Sequence, residues 1–388
     1  MLSGNELDAV HRLAEGTNLI HIGPEKTGST AIQSAFAALR PRLADSGVLY
    51  PGNPERPRPY LEALGFHGQR GAPPRDPAEW QDLLDEVAAA SASRVLISHE
   101  QLGRATDDQV RQVVASLGGE RPHVLMVARR YDTFIPSQWQ QGVKARTTLS
   151  YEEYLRLVMR EDDSHVLWQT TWRPHDTAEQ VRRWGSVVGE DAVTVVVAND
   201  QDHGFLFGVF ERLFGLPDGS LREHVVRSNR SLTYPEVELL RQFAIDLKER
   251  GGTLEDFHRL MRQGVLRAMR TQPVVEGEPP VPPLPRWAMD FARRRSEQRV
   301  SDLQALQAEG LHIIGDLGRL EIPADAPMSE DLLPPAVVSL ETAVRVSSAL
   351  VRIEMRGQRR LKRRARRATQ RGAAEPPAST SLLSRFRR

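Results

Sequence analysis

Residues 23–30, which read GPEKTGST, place two glycines, a lysine and several hydroxyl side chains between an apolar run and a segment with helical periodicity. A helix that begins near Gly28 directs its unpaired backbone N–H groups and the positive end of its dipole into this turn. Gly28 lets the backbone approach an anion without an intervening Cβ atom, and Lys26 adds a positive charge. The segment therefore predicts an anion-binding loop, most naturally for a phosphate. The alternative is a helix start that is merely capped.

The position of the lysine separates this loop from that of the nucleoside-triphosphate enzymes. Their pattern, GxxxxGK[ST], places lysine directly after the second glycine, followed by the residue that binds magnesium. Gly23 and Gly28 have the required separation, but Ser29 follows Gly28 and the lysine lies at position 26. The magnesium-binding pattern is absent from the sequence, which argues against a nucleotide kinase or hydrolase.

A second junction between an apolar run and a helical segment reads HVLMVARRYDTFIPSQWQQ. Arg129 stands at the end of the run, and Ser137 follows eight residues later. The planar guanidinium of arginine can hold two phosphate oxygens at once. We expect Arg129 and Ser137 on one rim of a sheet, with Arg130 as the candidate if the register differs by one. An ordinary surface ion pair is the alternative for Arg129.

Three polar residues, Ser98, His99 and Glu100, follow the apolar run VLI. Ligands of open α/β sheets bind beyond the carboxyl ends of the strands. A histidine near its natural pKa, or a partly buried glutamate, can accept a proton there. His99 as a packed histidine, and Glu100 as a charge that complements a helix dipole, are the structural alternatives.

Taken together, these segments resemble the sulfotransferases that use 3′-phosphoadenosine-5′-phosphosulfate (PAPS), in particular bacterial and actinobacterial-type members. The resemblance covers about residues 17–320, but only the two phosphate segments are specific. It implies that Lys26 contacts the bridging oxygen of the phosphosulfate, and that no metal is required. It also implies roles for further residues: Thr27, Gly28, Ser29 and Thr30 would cradle the 5′-phosphate, and Arg129 and Ser137 would bind the 3′-phosphate. Tyr131 replaces the proline that usually follows that arginine.

The resemblance favours Glu100 as the catalytic base, with His99 close behind. Arg227, Asn229 and Arg230 are candidates for a late loop over the 3′-phosphate, or for a polar turn before the next helix. For His67 and Trp139, burial is favoured over contact with an acceptor. Residues 53–76 suit an acceptor lid and plain surface equally well.

The elements that must position these residues follow from the apolar pattern. Continuous apolar runs without alternation suit strands buried on both faces of a parallel sheet, and helical patterns separate them. The sequence therefore predicts a three-layer α/β fold of the P-loop type, with helical C-terminal additions. The predicted strands are 19–23, 47–50, 95–98, 123–128 and 192–198. The predicted helices are 30–43, 78–92, 107–117, 131–144, 177–188, 204–214, 234–248, 254–269 and 286–309.

The 388 residues contain no cysteine, which excludes disulfides, thiolate nucleophiles and iron–sulfur clusters. No apolar run reaches the length of a membrane helix, and the polar first residues predict no secretory signal, so a cytoplasmic location is expected. The near-neutral net charge conceals an uneven distribution, because residues 345–388 hold 14 of the 52 basic and 2 of the 51 acidic residues. We expect an α/β domain over 1–322, a linker and the start of an amphipathic helix over 323–344, and a basic, partly disordered tail over 345–388.

The expected function is transfer of a sulfuryl group from PAPS to a hydroxyl or amine of a carbohydrate, lipid or small metabolite, releasing 3′-phosphoadenosine-5′-phosphate (PAP). A P-loop kinase is one alternative. The other is a non-catalytic nucleotide-binding scaffold whose tail contacts an acidic surface, such as a membrane or a polyanion. Membrane-peripheral association would then come from the tail.

Overall fold

In a computed structural model, the chain is described over residues 3–52, 64–65, 78–117, 119–224 and 230–372. Arg227, Asn229 and His67 lie outside the described residues, as does nearly all of the candidate lid at 53–76. The final residues of the basic tail, 373–388, also lie outside them.

Six parallel strands form one sheet. They are β1 (Thr17–His21), β2 (Val48–Leu49), β3 (Arg94–Ser98), β4 (Arg121–Ala128), β5 (Val193–Val197) and β6 (His312–Ile314). Their order across the sheet is β2-β3-β1-β4-β5-β6. The five predicted strands are present, and the sixth is a three-residue strand that the apolar pattern did not indicate. β1 lies between β3 and β4, so His21 at its end pairs with Ser98 on one side and Leu125 on the other.

Every predicted helix is present, and the structure adds three short helices, Ser3–Asp8, Tyr151–Val158 and Val166–Thr171. The last helix, Leu340–Gly372, extends into the segment predicted as a partly disordered tail. Residues His258–Val265 form a π-helix between the short helices Leu254–Phe257 and Leu266–Arg270. A 3₁₀ turn, Glu100–Arg104, follows β3 directly. The α-helices are α1 (Ser3–Asp8), α2 (Ser29–Leu43), α3 (Ala78–Ala89), α4 (Asp107–Leu117), α5 (Tyr131–Lys144), α6 (Tyr151–Val158), α7 (Val166–Thr171), α8 (Thr177–Val188), α9 (Phe205–Phe214), α10 (Tyr234–Glu249), α11 (Leu254–Phe257), α12 (Leu266–Arg270), α13 (Arg286–Ala308) and α14 (Leu340–Gly372).

Alternate strand residues face two separate cores, one on each side of the sheet. Leu19 of β1 packs with Phe36 of α2 and Phe210 of α9, whereas its neighbour Ile20 packs with Trp184 of α8 on the opposite face. The strands are buried on both faces, as their continuous apolar sequences predict. The predicted three-layer α/β class is therefore confirmed.

The helical additions form a third core of their own. Trp139 of α5 is fully buried there, together with Trp172, Phe257 and residues of α10, α12 and α13. Because α5 begins where β4 ends, this helical layer reaches the same rim of the sheet as the loop after β1.

The last helix is attached to this layer near its beginning. Glu278, in the proline-rich connector before α13, accepts hydrogen bonds of 2.7 Å from Thr233, Ser339 and Thr342. Burial opposes ionisation of this carboxyl, but the three hydroxyl donors hold its pKa below the usual value. Further along α14, the Cδ1 atom of Ile353 lies 2.6 Å from where a Cβ on Gly264 would stand, so the π-helix and α14 are in close contact. Among the helices of the described ranges, none is long and apolar enough to cross a membrane.

Replacing Glu278 with alanine is expected to loosen the start of α14 and to lower the free energy of unfolding by about 1–2 kcal/mol, since three hydroxyls lose a charged acceptor. Amide hydrogen exchange over residues 340–353 measures the local effect, and urea denaturation the global one. Glu276→Ala is the matched control, because Glu276 is exposed two residues away. Equal exchange rates in both variants would show that Glu278 does not hold the helix.

Candidate functional site: a phosphate loop joined to a second strand end

The loop after β1 is held in an open turn by three residues with positive φ: Gly23 (85°), Lys26 (68°) and Gly28 (100°). The hydroxyls of Thr27 and Ser29 donate to the carbonyl of Pro24, at 2.7 and 3.2 Å. These two side chains therefore stabilise the turn itself. The backbone at its mouth is left to interact with a ligand.

The backbone donors at the start of α2 are unpaired. The N–H groups of Gly28, Ser29 and Thr30 donate to no protein acceptor within the described part of the chain. They converge with the positive end of the helix dipole, which is the arrangement that binds phosphate. At Gly28 an added Cβ would lie 2.8 Å from the terminal Cδ2 of Leu206 in α9, and this flexible side chain can shift. The positive φ is therefore what requires glycine here.

Lys26 is largely buried, and within the described residues its ammonium has no hydrogen bond or ion pair. Burial lowers the pKa of Lys26; the carboxylates of Glu25 and Glu100 oppose this, whereas the positive charges of Arg270 and Arg129 add to it. The lysine therefore lies in a region where cations accumulate, and a bound anion would stabilise its charged form.

Arg129 connects the second strand end to the loop. Its Nη1 donates to the carbonyl of Lys26 at 3.0 Å, and its Nε donates to Asp200 at 2.9 Å. Arg130 instead pairs with Asp132, two residues along the chain. The structure thus brings Lys26 and Arg129 together and directs the neighbouring arginine elsewhere.

Ser137 lies two turns into α5, where its hydroxyl donates to the carbonyl of Thr133 at 3.2 Å. Thr133 in turn donates to Asp200 at 3.2 Å. The hydroxyls of Thr133 and Ser137 therefore both lie in the first two turns of α5. Asp200, which accepts from Thr133, is also the partner of the Arg129 guanidinium.

A buried arginine of α13 supports this strand end from behind. Arg299 donates to the carbonyl of Arg129 at 2.9 Å and stacks 3.8 Å above the ring of Tyr131. Only 3% of Arg299 is exposed. The sequence analysis did not identify this residue, because no local pattern links it to a site 170 residues earlier.

Glu100 lies beside the loop at the end of β3. Gln33 of α2 donates to its carboxylate at 3.0 Å, and also lies 3.3 Å from the hydroxyl of Ser98. A Cβ added to Gly23 would stand 2.9 Å from the Cα of Glu100. The glutamate is therefore held directly against the phosphate loop, as its position at a strand end predicts.

The two histidines of this region are buried. The Nδ1 atom of His99 accepts a hydrogen bond of 3.1 Å from the backbone N–H of Gln101, and His99 is only 4% exposed. His21 at the end of β1 lies 2.8 Å from the Ser98 hydroxyl, and burial lowers the pKa of His21 to about 4, with Glu100 opposing. His21 is consequently neutral at physiological pH.

Two further contacts fix the loop from the outside. Glu25 forms an ion pair of 3.1 Å with Arg104 and accepts a hydrogen bond of 3.2 Å from Gln138 of α5. These partners lie on the turn after β3 and on the helix after β4. The loop is therefore braced by both strands that flank β1.

Arg230 lies in the helical layer. Its guanidinium forms a bidentate ion pair with the buried Glu236, at 2.6 and 2.7 Å, and donates to the carbonyls of Met269 and Gln272. Its partners within the described residues are the neighbouring Ser231, Glu236 of α10 and the segment 269–272 at the end of α12, and none lies on the turn of Arg129.

No group of three or more histidine, aspartate or glutamate side chains with the geometry of a metal site occurs within the described ranges. No family model and no curated protein matches the chain. Among solved structures, it is similar to the crystal structure of a sulfotransferase from Alicyclobacillus acidocaldarius. The sequence identity is 16% and the TM-score 0.35, over 62% of this chain and 98% of that one. Function therefore has to be derived from the site itself.

Substituting alanine at Gly28 tests the loop. Gly28→Ala should lower the free energy of unfolding by about 1–2 kcal/mol, because a residue with a side chain is strained at this φ. The added Cβ should also weaken the binding of inorganic phosphate at least tenfold, as measured by calorimetric titration.

Gly219→Ala is the matched control, because Gly219 has a similar φ of 83° with open space around it. It should lose similar stability and retain phosphate binding. If both variants bound phosphate like the parent protein, the loop would not be the anion site.

Proposed function

We propose that the protein is a sulfotransferase that moves a sulfuryl group from PAPS to a hydroxyl or amine acceptor. The observation that carries this proposal is the direct contact between Arg129 and the backbone of Lys26. It joins a loop of unpaired N–H donors to an arginine from a different strand end. A donor with phosphates at two ends of one nucleoside requires such a pair of sites on one rim.

The residues present fit this donor. The unpaired N–H groups of Gly28, Ser29 and Thr30 suit the 5′-phosphate, and the Nη2 group of Arg129 has no described partner, so it is free to bind the 3′-phosphate beside Ser137. In the bound state Asp200, which now pairs with Arg129, would compete with that phosphate for the guanidinium. When bound, PAPS supplies a sulfuryl group attached to a phosphate leaving group.

The residues of the chain account for the charge and the proton in this reaction. Lys26 neutralises the charge that develops on the leaving phosphate oxygen as its bond to sulfur breaks. Glu100 accepts the proton that the acceptor hydroxyl or amine loses as its own bond to sulfur forms. Gln33 orients the Glu100 carboxylate for this role, while His99 is buried and its Nδ1 already accepts a hydrogen bond.

Calorimetric titration with PAP measures donor binding. Lys26→Ala and Arg129→Ala should each weaken PAP binding by about 10–100-fold, because each removes a charge-assisted hydrogen bond to phosphate. Arg130→Ala is the matched control, since Arg130 has the same exposed side-chain fraction as Arg129, 26%, but pairs with Asp132. It should leave affinity within about threefold.

Failure of the parent protein to bind PAP would contradict the proposed function. Equal losses in Arg129→Ala and Arg130→Ala would contradict the assignment of the 3′-phosphate site.

Turnover distinguishes the two candidates for the base. Glu100→Gln should lower kcat by roughly 10²–10⁴ while retaining PAP affinity, because glutamine keeps the size of the side chain and loses the proton acceptor. His99→Asn retains an acceptor for the N–H of Gln101, and its kcat should stay within about threefold of that of the parent protein. Mass analysis of products from an acceptor panel gives the rates.

A large loss of kcat in His99→Asn, with little change in Glu100→Gln, would assign the base to His99. PAP binding without turnover on any acceptor would favour a nucleotide-binding scaffold.

A further inference from the structure

A lysine that the donor site does not use is buried at the end of α5, within electrostatic reach of Lys26. Lys144, in the last turn of α5, is only 7% exposed, and its ammonium has no hydrogen bond or ion pair among the residues that the structure describes. Burial of an ammonium without a partner is unfavourable, so such groups are uncommon in protein interiors. The side chain is therefore positioned to meet something that the polypeptide does not supply.

The charges around Lys144 are mainly positive. Burial lowers the pKa of Lys144 to about 7; the charges of Lys26, Arg270 and Arg230 contribute to this, and Glu236 opposes it. The carboxylate of Glu236 is already engaged, because Arg230 holds both of its oxygens. The acid that acts on Lys144 is thus paired with another residue.

Arg270, the last residue of α12, is the second unpaired cation of this region. Its Nε is buried and has no hydrogen-bond partner, and burial lowers its pKa. Arg230 fixes the backbone on either side of it by donating to the carbonyls of Met269 and Gln272, each at 2.7 Å. Arg270 is therefore held in place by its main chain while its guanidinium remains available.

Both cations approach Lys26 from the helical layer. Arg270 lowers the pKa of Lys26 and of Lys144, and Lys26 also lowers that of Lys144, so the three charges lie within electrostatic reach of one another. Arg129 reaches Lys26 by a different route, from the end of β4 through the loop backbone. The positive charges of these partly buried groups disfavour one another, although Glu25 and Glu100 offset part of this at Lys26, and a bound anion would favour the charged forms.

We infer that Lys144 and Arg270, next to Lys26, form a second anion-binding subsite, which takes an anionic group of the acceptor, such as a carboxylate, sulfate or phosphate. This inference rests on the proposed function, because the loop and Arg129 are there assigned to the donor. The donor assignment uses neither residue: Arg270 lies in α12, and Lys144 lies at the far end of α5, about two turns beyond Ser137. The acceptor is accordingly an acidic molecule, and at neutral pH its binding is accompanied by proton uptake on Lys144.

The test uses the full chain and inorganic sulfate as the probe, titrated calorimetrically with and without saturating PAP at pH 7.5. The parent protein saturated with PAP should bind one further sulfate, and Lys144→Met and Arg270→Gln should each weaken that step at least tenfold. PAP affinity should stay within about threefold in both variants. Arg267→Gln, on the exposed side of the same helix as Arg270, is the matched control. It should change neither the sulfate affinity nor the PAP affinity.

Two further measurements separate a binding role from a structural one. Titrations in buffers of different ionisation enthalpy should show proton uptake with sulfate, and Lys144→Met should abolish it. The same variant should raise the thermal midpoint, because an unpaired buried charge is removed. A lysine that merely supports the fold would give a lower midpoint instead.

The failures are distinguishable. Sulfate binding that neither substitution weakens would overturn the subsite, whether or not PAP binds. Equal losses of sulfate and PAP affinity in both variants would place the two cations in the donor site and overturn the acceptor assignment. Absence of PAP binding by the parent protein would contradict the proposed function, and sulfate binding to the protein without PAP would then decide whether the cluster binds anions at all.

Discussion

The hydrogen bond from Arg129 to the carbonyl of Lys26 determines how the charges of the site are arranged. It is possible only because β4 is the neighbour of β1, and the loop is tied to β4 by the N–H of Val127, which donates to the carbonyl of Gly23 at 2.8 Å. On the other side, Glu100 at the end of β3 lies against Gly23. The order of three central strands therefore sets the distances between the phosphate loop, the arginine and the candidate base.

This arrangement concentrates positive charge in a place where few carboxylates oppose it. Glu25 is engaged by Arg104 and Gln138, and Asp200 by Arg129. Glu25 and Asp200 thus brace the structure, and the carboxylates of Glu25 and Glu100 offset only part of the lowering of the Lys26 pKa by burial. An anion at this place would be strongly attracted, since the same low-polarity surroundings that penalise an unpaired charge also strengthen its attraction to a partner.

The sequence predicts those parts of the site that depend on local pattern, and misses those that depend on tertiary neighbours. The loop glycines and the order of strand, turn and helix are local, so the fold class and five strands could be predicted. β6 could not, because it has only three residues and begins with the exposed His312. Gln33 lies within the predicted helix 30–43, yet its role became visible only through Glu100, 67 residues away. Lys144 looks in sequence like any lysine that complements a helix C-terminus; only its burial distinguishes it.

The helical additions matter for the proposed subsite, because they hold its two cations, Lys144 and Arg270. Arg270 ends the segment that follows the π-helix, and α14 packs on that π-helix through Ile353. Arg230 joins the same segment to α10 through Glu236. The sheet and its loops therefore hold Lys26 and Arg129, whereas Arg270 depends on helices that pack with one another in a core of their own. Substitutions in those helices are expected to leave the loop after β1 intact, since separate cores stabilise the two parts.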